Sequence, residues 1–93
     1  MWKSKAMKEQ ELREAAIRIR AAMRKSRRVL KSCKNVEMVR LAYNWATAVV
    51  VREIEATPVC SARKLELHNK CIRRLLKTRS AALMNTVEFR VVM

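Results

Sequence analysis

The chain has 93 residues, and its 22 lysine and arginine side chains against 8 acidic ones give a formal net charge of +14. This length predicts a single domain. The sequence contains no glycine, which excludes glycine-rich phosphate loops and argues against a many-stranded β fold. All the acidic residues are glutamate and there is one histidine, so a Ser-His-Asp triad and an aspartate-rich metal site are excluded. We therefore expect that the protein has no enzymatic activity and binds no cofactor.

The cysteines and the hydropathy pattern predict a protein of the cytoplasm that does not associate with membranes. Cys33, Cys60 and Cys71 are an odd number at loose spacing, which favours free thiols in the reducing cytoplasm over a disulfide framework. His68 and Cys71 are three residues apart, but no second ligand pair accompanies them, so we expect no metal site. No apolar run is long enough to span a bilayer, and we expect no membrane association.

Residues 4–33 are predicted to form one long helix. Small or apolar side chains recur there at alternating steps of four and three residues, which is a heptad pattern. The repeated positions are Leu12, Ala16, Ile19, Met23, Ser26, Leu30 and Cys33. Three heptads are short for an isolated coiled coil, so this seam is expected to pack inside a bundle or a dimer. Asn35 is then predicted to cap the next helix.

Residues 36–56 are predicted to form a second helix that is apolar over most of its circumference. Such a helix is normally buried on several sides, and a chain of this size has little surface with which to cover it. We therefore expect a homodimer. The residues expected in the core or the dimer interface are Tyr43, Trp45, Val49 and Val50, with Phe89 from the tail.

The third helix is predicted over residues 58–84, with Thr57 as its N-cap and Pro58 at its first position. Its expected apolar side consists of Leu65, His68, Ile72, Leu75, Leu76 and Leu83. Residues 86–93 alternate between apolar and polar side chains, as in a strand. The predicted fold is thus all-α: a bundle-like protomer of three long antiparallel helices with a short C-terminal strand or arm, paired in a dimer.

The positive charge is concentrated on the two outer helices. Residues 1–35 carry a net charge of +9, residues 36–57 carry −1, and residues 58–85 carry +6. On each outer helix the basic residues are expected opposite the apolar side. They are Arg13, Arg20, Arg24, Arg27, Arg28, Lys31 and Lys34 on the first, and Arg63, Lys70, Arg73, Arg74 and Lys77 on the third. Basic side chains three or four residues apart repel each other, and few glutamates lie nearby to compensate. This uncompensated repulsion indicates a polyanionic partner.

Nucleic acid is the partner that this charge pattern favours, with RNA ahead of DNA. Arginine outnumbers lysine 13 to 9, and its guanidinium binds phosphate in two-point contacts. Aromatic residues that could stack on bases are few, which predicts little sequence specificity.

Two alternatives to nucleic-acid binding remain open. One is a small phage- or plasmid-type regulator or inhibitor that binds an acidic partner protein, such as a toxin or nuclease, with or without RNA. The other is a ribosome- or nucleoid-associated structural protein.

Overall fold

The computed structural model of the chain describes residues 5–86, which form three α-helices and no strand. Helix α1 comprises Lys5–Ser32, α2 comprises Val36–Glu55 and α3 comprises Ser61–Met84. Each helix packs against the other two. The prediction of an all-helical, bundle-like architecture is therefore confirmed for this part of the chain. The predicted C-terminal strand, including Phe89, lies outside the described residues.

Contacts between the helices define their directions. Arg18 and Lys25 of α1 reach Glu53 and Trp45 of α2, respectively, so residue numbers rise along α1 while they fall along α2. The two helices are therefore antiparallel. Contacts between α2 and α3 run the same way, from Glu55 with Lys64 to Tyr43 with Arg79. It follows that α1 and α3 are parallel to each other.

The core is a single apolar cluster to which all three helices contribute. Leu30 of α1, Val50 and Ile54 of α2, and Leu75 of α3 are almost completely buried. Burying one such side chain contributes about 1.5–3 kcal/mol. From Ile19 onward the heptad seam predicted for α1 is buried as expected, whereas Leu12 near its start remains partly exposed.

Helix α2 buries one face, not several. Its N-cap is the predicted one, because Asn35 Oδ1 accepts a hydrogen bond from the Met38 amide at 2.8 Å. The buried positions are Val39, Ala42, Ala46, Val50 and Ile54. On another face, Leu41 is 55% exposed and Trp45 is 39% exposed. The expectation that this helix is covered on several sides is thus wrong for one copy of the chain, because α1 and α3 both pack on the same side of it.

Helix α3 begins at Ser61, three residues after its predicted start. The Thr57 hydroxyl donates a hydrogen bond to the Glu53 carbonyl at 2.9 Å. It therefore pairs with a carbonyl in the last turn of α2 and does not cap α3. The buried face is also rotated from the predicted one. The buried residues are Cys71, Leu75, Thr78 and Ala82. Leu75 is thus buried as predicted, whereas Leu65 is 61% exposed. His68, Ile72, Leu76 and Leu83, which were also predicted for the apolar side, are half-buried and lie beside this face.

Candidate nucleic-acid interface

A long groove runs between the parallel helices α1 and α3. It has a volume of about 740 Å³, and the segment between α2 and α3 contributes Thr57 and Val59 to its lining. No residue of α2 lines it. The groove therefore lies on the side of the bundle away from α2.

Cationic side chains stand on both rims of this groove. All six are exposed: Arg20, Arg24 and Arg27 on α1, and Arg63, Lys70 and Arg74 on α3. The helical rise of 1.5 Å per residue makes the cationic stretch about 10 Å long on α1 and about 16 Å long on α3. Because the helices are parallel, the two rims run in the same direction. We call this set of six residues the cationic rims.

The floor of the groove is aliphatic. Ile19, Met23 and Cys71 are buried, and Leu67 is half-buried. Thr57 is the one uncharged polar side chain in the described lining, and its hydroxyl already donates to a backbone carbonyl. The groove therefore offers positive charge and apolar surface, and very few free groups that could read the edges of bases.

Ion pairing within the chain leaves the cationic rims largely uncompensated. Arg63 pairs with Glu66 at 2.8 Å on the same helix. Among the described residues, the other five rim cations make no ion pair within 4 Å, and no carboxylate lines the groove. Exposed ion pairs such as that of Arg63 are weak, so this arginine also remains available to a ligand.

Cys71 lies at the groove floor and is close to two of the rim cations. Burial raises the pKa of its thiol, and the charges of Arg74 and Lys70 act against that rise. The rim cations themselves are exposed, so their attraction for an anion is partly screened by water and salt.

The structure brings together half of the predicted basic residues. All twelve are exposed, and the six of the cationic rims share one groove. The other six lie outside its lining: Arg13, Arg28, Lys31, Lys34, Arg73 and Lys77. The rim residues lie beside the apolar faces of α1 and α3. Their spacing in the sequence predicted them on the opposite side of each helix. The sequence pattern placed basic stripes on two helices, but it did not reveal that the stripes face each other across a shared apolar floor.

The residues predicted for the core or a dimer interface have separate environments. Val50 is completely buried within its own chain, and Val49 is half-buried. Arg79 stacks over the Tyr43 ring at 4.6 Å, and Lys25 lies 5.9 Å from the centre of the Trp45 ring. These cation–π contacts occupy one face of each aromatic ring. Sequence reasoning missed both contacts, because they join residues that are distant in the chain.

Comparisons with known proteins leave the groove as the main source of functional information. No family model matches this chain, and neither curated proteins nor solved structures give a significant match. Among residues 5–86, no helix is both long and apolar enough to cross a membrane. Within that same range, no cluster of three or more His, Cys or acidic side chains is placed to hold a metal ion.

Proposed function

We propose that this chain is a non-catalytic nucleic-acid-binding protein that holds RNA phosphates along the α1–α3 groove. The observation that carries the proposal is the pair of cationic rims, which face one groove with no carboxylate in its described lining. Cations that replace the counterions of a polyanion release them to solvent, and this release drives binding. On the scale of duplex DNA, which has one phosphate per strand for about every 3.4 Å of helix axis, the 16 Å stretch corresponds to about five phosphates.

RNA is favoured over DNA because five of the six rim cations are arginine. The planar guanidinium can bind phosphate at two points and can also stack on unpaired bases, which are more accessible in folded RNA than in duplex DNA. The scarcity of free polar groups in the groove supports binding with little sequence specificity. In this proposal the protein positions a nucleic acid and performs no chemistry on it.

A second candidate is supported by the floor of the same groove. Ile19, Met23 and Leu67 are aliphatic, whereas bases usually stack on aromatic rings. An amphipathic helix of a partner protein could bury its apolar face on this floor while its acidic flanks meet the rims. This arrangement would suit a small regulator or inhibitor that captures an acidic protein segment.

Fluorescence anisotropy on nuclease-treated protein separates the two candidates. The probes are a folded RNA hairpin, a DNA duplex of matching sequence and an acidic amphipathic helical peptide. We expect the RNA to bind most tightly and its affinity to fall steeply with salt. Tighter binding of the peptide than of either nucleic acid would favour the second candidate. No binding of RNA or DNA at moderate salt would refute the proposed function.

A further inference from the structure

Helix α2 carries a second apolar stripe that its own chain covers only in part, through the contact of Lys25 with one face of the Trp45 ring. Met38, Leu41, Trp45 and Ala48 are all exposed, and they follow one another at steps of three, four and three residues. This is the spacing of a heptad seam, which places the four side chains along one line of the helix. We call these four residues the outer seam. The buried positions of α2 form a separate face.

The outer seam differs from the other exposed apolar side chains. Ile17 on α1 and Leu65 on α3 are also exposed, but single apolar residues on a surface are ordinary. Arg13, Arg20 and Arg24 lie one or two turns from Ile17 on the same helix. A contiguous apolar stripe is the feature that marks an interaction surface.

The charge distribution identifies the occupant of this stripe. Helix α2 has a net charge of −1, whereas α1 has +7 and α3 has +6. Of the three ways in which a two-fold dimer can pair a helix with its own copy, α2 against α2 is the one that keeps the strongly basic helices apart. Helix α2 does carry Arg40 and Arg52, but three glutamates on the same helix offset them. An acidic partner would be drawn to α1 and α3 instead, and a strongly basic partner would gain nothing at this surface.

We infer that the outer seam binds a second copy of this chain, in a two-fold dimer with α2 against α2. Such an interface is self-complementary, so each seam covers the other. It also leaves both α1–α3 grooves facing outward, because no α2 residue lines them. The dimer presents two cationic grooves on opposite sides. This inference is independent of the ligand that the groove binds.

Sedimentation velocity on nuclease-treated protein tests the dimer. We expect twice the chain mass of 10.9 kDa, and we expect Leu41→Glu to return the mass to that of one chain. Leu65→Glu is the matched control, since Leu65 is an exposed leucine on another helix, and it should leave the dimer intact. Circular dichroism should show unchanged helix content in both variants. Wild-type protein that sediments as a monomer across the micromolar range would overturn the inference, as would equal effects of the two variants.

The salt dependence and the fluorescence of Trp45 add two independent readouts. Salt screens the repulsion between two basic copies, so the dimer should tighten as salt rises, whereas association through bridging nucleic acid should weaken. Trp2→Phe leaves Trp45 as the one tryptophan, and its emission should shift to the red on dilution, as the dimer dissociates. Association that weakens with salt, or emission that stays constant while the mass halves, would contradict an α2–α2 interface.

Discussion

Replacing Arg24 and Arg27 by alanine removes two of the six cations of the groove. If all six contact phosphates, the logarithm of the binding constant should fall with the logarithm of salt concentration with a slope of about −4 to −5. Losing two contacts should make that slope shallower by about 1.4 for a single strand and about 1.8 for a duplex. At about 0.15 M salt, the lost counterion release corresponds to affinity that is weaker by about 15- to 30-fold.

The control for this experiment is the pair Arg28→Ala and Lys31→Ala. It removes the same charge from the same helix, but both residues lie outside the groove lining. Anisotropy titrations of an RNA hairpin at four or more salt concentrations give the slope for each variant. The groove pair should lose both affinity and slope, and the control pair should lose clearly less. Equal losses in both pairs would show that binding follows net charge alone, and the groove argument would then be wrong.

Three further predictions concern stability and the thiols. Ser26 is buried, and its hydroxyl has no hydrogen-bond partner among the described residues, so Ser26→Ala should raise the free energy of unfolding in urea by about 1 kcal/mol; a loss of stability would contradict this. Asn35→Ala removes the cap of α2 and should cost about 1 kcal/mol in the same assay, whereas an unchanged midpoint would show that the cap contributes nothing. Burial raises the pKa values of Cys33 and Cys71, so a thiol reagent should modify the exposed Cys60 first and the other two only at higher pH or on unfolding. Simultaneous modification of all three would refute the burial argument.

Helix periodicity was enough to predict the three helices and much of their core. The seam of α1 and the cap at Asn35 follow from local patterns that the tertiary structure does not alter. The start of α3 does not follow from local patterns, because Thr57 has two possible roles. Its hydroxyl can cap the N-terminus of the next helix or donate to a carbonyl at the end of the preceding one. The conformation of the backbone between α2 and α3 decides for the bond to the Glu53 carbonyl.

The groove was less accessible to prediction than the helices. Charge counts identified the basic residues of α1 and α3, but the parallel arrangement that brings Arg24 and Arg74 to one groove depends on how both helices pack on α2. The sequence also did not predict which face of α3 is buried, because leucines such as Leu65 outweigh Thr78 and Ala82 in any apolar pattern. The buried face follows from the packing of α3 against α1 and α2, which a periodicity count on one helix does not contain.

Amide chemical shifts recorded during titration with an RNA hairpin test most directly whether the groove is the binding site. The proposal predicts that the largest changes fall on residues 16–27 of α1 and 63–74 of α3, while the outer seam of α2 changes little. Changes concentrated on α2, or spread evenly over all three helices, would contradict binding in the α1–α3 groove.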